Sequence, residues 1–240
     1  MGQNLGHLRW RFGVLAAVSV LWLGLLPAAP SSASSVVFSD DWSLGTGSAW
    51  SSSRWAVAVL NDTDVDVVGG AGHVGFSGAR RAGGGVAEMP SVGDAEVLVS
   101  FRFGSTQEEG QAFSWLRASG DWADLYNLIP SAGYGVQVHT NSDGVKLFRA
   151  TGGGGRTILG AGSIAQVTSA KQWLRFRVEG NALMVKVWTD GTSEPSQWEL
   201  VLNDSNGPAT GVYQIGFSRS GGKGQKDVYF DDLTVTDLTP

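Results

Sequence analysis

A chain of 240 residues, 42% hydrophobic and 16% charged, is long and apolar enough to bury one good core and does not read as disordered. Its net charge of -5 offers no cationic footprint for phosphate backbones or anionic lipid, so no nucleic-acid partner is expected. Cysteine is absent, which excludes disulfides, thiol catalysis and cysteine-ligated metals.

At the N-terminus, His7, Arg9 and Arg11 precede the apolar run Phe12 to Leu26 and the small-residue stretch Pro27 to Ser35. This pattern predicts a cleavable signal peptide over residues 1–33, cut after Ala33. The apolar run falls short of the roughly 20 residues that a membrane span needs. Residues 34–240 read as one domain with no second long apolar stretch, Pro/Ser stalk or anchoring tail. The expected product is secreted, with no membrane anchor after cleavage.

The 35 glycines show no collagen-like period and mark turns between many short strands. In chain order, Phe38 to Trp42 reads as a first strand and Asn61 to Asp66 as a strand with a polar face. In Glu96 to Phe103, Val97, Val99, Phe101 and Phe103 share one face, while Glu96, Ser100 and Arg102 share the other. Strict alternation places Trp115 and Arg117 on one strand face, with Trp122 and Tyr126 in the loop that follows. Gly133 to Thr140 is expected to pair with Val145 to Ala150 across Asn141-Ser142-Asp143-Gly144. Leu174, Phe176 and Val178 alternate with charged residues up to the turn Gly180-Asn181, and the return strand carries Leu183, Val185 and Val187 inward. Tyr213 to Ser218 is expected to pair with Val228 to Val235 across a Gly-rich loop, and the two terminal strands with each other. No segment of ten residues carries a helical apolar period. The predicted fold is all-β, a two-sheet antiparallel β-sandwich of jelly-roll type.

Glycoside cleavage requires two carboxyl groups flanking the bond. The nearest approach to such a strand is Asp94-Ala-Glu96, read here as a solvent-facing strand end. His73 and His139 have no G-x-S-x-G nucleophile motif nearby and no metal-ligand spacing, and Gly152 to Arg156 lacks the Lys-Ser/Thr of a phosphate loop. If the terminal strands pair, Asp40 and Asp41 meet Asp231 and Asp232, a set of hard oxygen donors suited to structural calcium. Aromatic platforms with a few polar groups suit sugar rings, which nominates Trp115, Arg117, Trp122, Tyr126 and His139 for ligand contact. Trp173, Trp188 and Trp198 are assigned to the core.

The stretch Trp173-Leu-Arg-Phe-Arg-Val-Glu-Gly-Asn-Ala-Leu183, with Lys186 to Trp198 after it, resembles the concanavalin A-like lectin/glucanase superfamily in its LamG-type bacterial branch. Phe38-Ser-Asp-Asp-Trp42 and Val228-Tyr-Phe-Asp-Asp-Leu-Thr-Val235 resemble the first and last strands of such domains, and Trp115 to Tyr126 is similar to their middle strands. The resemblance spans about residues 36–238. It implies a jelly roll whose usual ligand is carbohydrate, but no single activity, because the fold hosts lectins, hydrolases and adhesion modules. The glucanases' E-x-D-x-E strand is missing from this chain. The expected function is therefore a secreted, non-catalytic domain that binds a polysaccharide or glycan, or recognises a cell-surface protein. A glycoside hydrolase or polysaccharide lyase is the first alternative, and a structural or adhesive envelope module the second.

Overall fold

The computed structural model describes residues 34–78, 81–104, 110–139, 144–163, 169–219 and 226–239. The signal peptide over 1–33, the turn at 141–143 and the Gly-rich loop at 220–225 lie outside them. The chain divides into two units, and the described residues all belong to the second, Ser32–Pro240.

Among the described residues, alternating apolar and polar side chains produce fifteen strands and no helix. Eight strands form one sheet: β1 (Ser35–Asp40), β3 (Asp64–Val68), β4 (Ala71–Phe76), β6 (Ala95–Phe103), β11 (Gln172–Glu179), β12 (Ala182–Thr189), β13 (Leu200–Asn203) and β15 (Lys226–Asp237). Their order is β13-β12-β11-β6-β15-β4-β3, with β1 also paired to β15. The other seven are β2 (Trp55–Leu60), β5 (Arg81–Ala87), β7 (Gln111–Ala118), β8 (Gly133–His139), β9 (Val145–Gly152), β10 (Gly155–Gly162) and β14 (Val212–Arg219). Their order is β10-β9-β8-β7-β14-β5-β2, and every pairing in both sheets is antiparallel.

The main core lies between the inner faces. Val97, Val99, Phe101 and Phe103 of β6 and Leu174, Phe176 and Val178 of β11 meet Leu116, Val136, Tyr213, Ile215 and Phe217 from the seven-stranded sheet. Phe217 packs against Phe76 at 5.1 Å and Phe103 at 5.8 Å, joining the layers through aromatic faces. At one end Trp42 stacks on Trp55 at 5.8 Å and 12°, and Trp50 tilts against both. Each such side chain contributes roughly 1.5–3 kcal/mol by leaving water, which is how a sandwich without disulfides is held.

The predicted hairpins at Gly180-Asn181 and between β8 and β9 are present, as is pairing of the terminal strands. Tyr213–Ser218 and Val228–Val235 do not pair. β14 lies in the seven-stranded sheet and β15 in the eight-stranded one, because both strands are apolar on one face and pack face to face across the core.

A second core covers the outer face of the seven-stranded sheet. Phe113, Trp115, Phe148, Ala82 and Ala150 project from it and are covered by Leu128 and Ile129, with Trp122 and Leu125, from the segment that joins β7 to β8. That segment is closed by reciprocal backbone bonds between Asp124 and Ile129, and Gln214 Nε2 donates to Asp121 O at 2.9 Å. Trp115 needs space on its neighbouring strand: a Cβ on Gly135 would lie 2.5 Å from its ring.

Arg117 does not share the face of Trp115. β7 bulges opposite Val212–Gln214, Arg117 takes φ 50°, and its side chain swings to the end of the sandwich. There it is 5% exposed and donates to the carbonyls of Gly93, Gly180 and Pro208 and to Asp94, tying three loops together. Asp94 Oδ1 also accepts from Gly180 N at 2.8 Å. Arg117→Ala strands these acceptors and should cost about 2–4 kcal/mol of stability in urea unfolding, with Arg117→Lys recovering little because it lacks the fork. Gly135→Ala should cost about 1–3 kcal/mol by overpacking against Trp115; near-wild-type midpoints for either would contradict these assignments.

Candidate functional site

Among the described residues the outer face of the eight-stranded sheet has no such cover over its tryptophans. The register of the β11–β12 hairpin sets Trp173 directly across from Trp188, and the rings stack at 6.2 Å and 14°. Both are half-buried and neither belongs to either core cluster, so the expectation that they belong to the core does not hold. Trp173 Nε1 donates to Asp190 Oδ1 at 2.7 Å and the Lys171 ammonium lies 5.4 Å from the ring centroid, which fixes the orientation of the ring. Trp198, also half-buried, packs over Lys186 at 4.7 Å and Arg177 at 5.6 Å.

Beside this pair lies a cleft of about 290 Å³, close to the lower bound of roughly 300 Å³ for small-ligand sites. It is lined by Ser100, Phe101 and Arg102 of β6, Tyr229 and Asp231 of β15, Lys171, and Val68, Gly69 and Ala71. Cross-strand pairing explains the composition, since Trp188, Trp173, Ser100 and Asp231 form one row across β12, β11, β6 and β15. Arg102, Tyr229, His73 and Asp66 form a second row across β6, β15, β4 and β3. In that row the Arg102 guanidinium sits 4.2 Å from the Tyr229 ring, His73 stacks on Tyr229 at 5.0 Å, and the His73 ring nitrogens lie 2.7 Å from Asp66 and 3.0 Å from Asp227. Burial, then the Asp227 charge, holds the Tyr229 phenol above its ordinary pKa, so it stays a neutral donor.

β15 bulges between Asp231 and Thr234, with Asp232 at φ 51°. The bulge turns Asp231 into this cleft and Asp232 into a second one of about 470 Å³, which Asp40, Asp41, Trp42 and Arg54 also line. Lys171 joins the two, 2.6 Å from Asp232 and 3.6 Å from Asp231. Burial opposes the Lys171 charge, but the Asp232 hydrogen bond and both carboxylates outweigh it and hold its pKa above the ordinary lysine value. Burial, with the Asp232 charge behind it, leaves the Asp231 carboxyl above the usual carboxylate range, despite the Asp232 N–H.

The four carboxylates nominated for calcium do not fit a calcium shell. Asp40 is occupied by Trp42 N at 2.9 Å, Trp55 Nε1 at 2.7 Å and Arg54 at 3.3 Å, while Asp231 and Asp232 hold an ammonium where a cation would sit. Asp41 turns to its neighbour, accepting from Ser43 N at 3.2 Å. Among the described residues no group of three or more His, Asp or Glu side chains is arranged to hold a metal. The distant basic partners Arg54 and Lys171 account for the difference from the sequence expectation.

The five residues nominated for ligand contact are not brought to one open surface. Trp115 is fully buried, Arg117 clamps loops, Trp122 is half-buried against the second core, and Tyr126 lies in the covering segment. His139 ends β8 opposite Gln111, at the far end of that strand from Gly135, the cross-strand partner of Trp115. Within the second core the indole N–H groups of Trp115 and Trp122 and Nη1 of Arg156 are buried without a protein acceptor among the described residues. Arg156 lies over the Phe148 ring at 4.3 Å. Glu96 bridges Arg175 and Arg177, and Asp94 holds Arg117, so this pair flanks no groove.

No protein-family model matches the chain, and no curated protein matches it in sequence. Solved structures do match in fold. A carbohydrate-binding module, CBM66 from Bacillus subtilis, is similar over 76% of this chain and 96% of its own, with 15% identity and a TM-score of 0.55. A beta-1,3-glucanase from Mycobacterium marinum is similar over 84% of this chain and 98% of its own, with 15% identity and a TM-score of 0.57. The exoplasmic/lumenal domain of VIP36 in its Ca2+/Man3GlcNAc-bound form covers 78% of this chain and 84% of its own, with 14% identity and a TM-score of 0.55. At these identities the likeness establishes the fold, which is the concanavalin A-like jelly roll.

Proposed function

We propose that the domain is a non-catalytic glycan-binding module, exported and released by loss of residues 1–33, that contacts its ligand on the outer face of the eight-stranded sheet. The observation that carries this reading is the half-buried, near-parallel pair Trp173 and Trp188 beside a cleft containing Arg102, Lys171, Tyr229 and Asp231. An indole face that the stacked pair leaves toward solvent suits the apolar face of a pyranose, and the adjoining charges and phenol suit its hydroxyls. The LamG-type bacterial branch is the relative favoured within the fold, on the β11–β12 residues that carry the resemblance. A non-catalytic role is supported by the occupancy of the nearby carboxylates: Glu96 is held by two arginines, and Asp231 and Asp232 by Lys171. Proton exchange at a glycosidic bond needs two carboxyl groups free to gain and lose protons.

A second location for the ligand is favoured by one observation, the three orphaned donors around Trp115, Trp122 and Arg156. The two locations predict different variants to fail.

The protein should bind polysaccharides on a glycan array without releasing reducing sugar. Trp173→Ala and Trp188→Ala should each weaken binding by about tenfold, while Trp115→Phe leaves it unchanged. Sugar release would favour the hydrolase, loss confined to Trp115→Phe the second location, and silence on every glycan the envelope module. Binding should also survive a chelator, because the four aspartates are already satisfied by protein groups; a chelator-dependent loss would contradict their assignment.

A further inference from the structure

Sandwiches with open sheet edges expose unpaired backbone groups, and natural chains protect such edges with short strands, bulges, charges or covering segments. Four of the five edges among the described residues are protected. β13 has four residues, β1 is bulged between Val36 and Phe38, β10 is bulged between Ile158 and Gly160, and β3 is covered by residues 47–49, through Gly47 N to Val67 O, Val67 N to Ser48 O and the Ala49–Asp66 bridge.

The fifth edge, β2, has none of these among the described residues. Its sequence is Trp-Ala-Val-Ala-Val-Leu, six residues with no charge, proline or bulge, and β5 is its one strand partner among the described residues. Val57 and Val59 point the same way as buried Trp55, yet are 41% and 48% exposed at the open rim. Across the strand they face Gly85 and Gly83, which offer no side chain to cover them. The glycines cannot be replaced by larger residues, because a Cβ on Gly83 would lie 2.8 Å from Thr63 and Val65. The two valines are therefore left for a partner outside the chain.

We propose that β2 is a self-association edge, pairing antiparallel with β2 of a second copy about a two-fold axis at Ala58. A second copy is favoured over an unrelated strand because β2 is complementary to itself in this register. Val57 faces Val59 of the other copy, Ala56 faces Leu60 and Ala58 faces Ala58. Beyond the ends, Arg54 comes level with Asp62 of the other copy; within one chain Arg54 is paired with Asp40 and Asp62 with Arg81, but both remain accessible, the Arg54 side chain 42% exposed and the Asp62 side chain 97%. The pairing joins two seven-stranded sheets into one and leaves the tryptophan face of each eight-stranded sheet open. A six-residue strand pair buries less than the roughly 1,200 Å² of a stable interface, which makes a weak, concentration-dependent dimer.

Sedimentation velocity on the chain from low-micromolar to several-hundred-micromolar concentration tests this. The wild type should shift reversibly from monomer to dimer. Val57→Lys with Val59→Lys puts lysine opposite lysine and should weaken the dimer at least tenfold. Val57→Lys with Val59→Glu puts opposite charges face to face in this register alone and should restore a dimer that dissociates at high salt. Both substituted positions are exposed, and unchanged thermal melts will show that the variants fold. A wild type that stays monomeric, a dimer unaffected by the double lysine variant, or no restoration by the lysine–glutamate pair would each overturn the proposal.

Discussion

The eight-stranded sheet depends on the pairing of its longest strand, β15. Its first half pairs with β4 and β6, and its second half with β6 and β1. It therefore closes the N-terminal strand, the β3–β4 ribbon and the β6–β11–β12 meander into one layer in a chain that has no disulfide to do so. Val228, Phe230, Leu233 and Val235 anchor it to the core, and this inward alternation survives only because the bulge at Asp231–Asp232 absorbs one residue. The same bulge sends the two carboxylates into different clefts and presents both to Lys171. The geometry of the candidate site follows from the way β15 keeps its apolar face inward.

The two sheets treat their outer faces differently, and that difference decides where a ligand can reach. On the seven-stranded sheet the outer face carries Phe113, Trp115 and Phe148, too much apolar surface to leave wet, and the segment after β7 folds back over it. On the eight-stranded sheet the outer face carries long charged side chains that pair with one another. Arg175 reaches Glu96 and Glu194, and Lys186 reaches Glu194, so these side chains are satisfied by one another. Trp173 and Trp188 stay in water's reach because their neighbours are cations and carboxylates rather than hydrocarbons.

Much of this was legible in the sequence. Alternation in Glu96–Phe103 and the Gly180-Asn181 turn gave the inner faces of β6, β11 and β12 correctly. The same turn fixes a register in which Trp173 meets Trp188, so their exposed pairing could have been read from the hairpin instead of being assigned to the core. Three things were not legible, each for a physical reason. The β7 bulge moves Arg117 away from Trp115, and one inserted residue leaves no compositional mark. Face-to-face packing of β14 and β15 looks identical to edge pairing in an alternating pattern. Asp232 comes to the cleft that Asp40 and Asp41 line while the β15 bulge turns Asp231 away from it, and the cations that satisfy these carboxylates, Arg54 and Lys171, come from segments that give no local sign of the role.

The central claim is that ligand meets the tryptophans of the open face and not those under the β7–β8 segment. Indole N–H signals in a 1H–15N correlation spectrum, assigned by single Trp→Phe variants and titrated with the polysaccharide that scores on the array, test it directly. The account predicts that the Trp173 and Trp188 signals shift with saturation while those of Trp115 and Trp122 stay in place. Movement of Trp115 and Trp122 with Trp173 and Trp188 unmoved would contradict it.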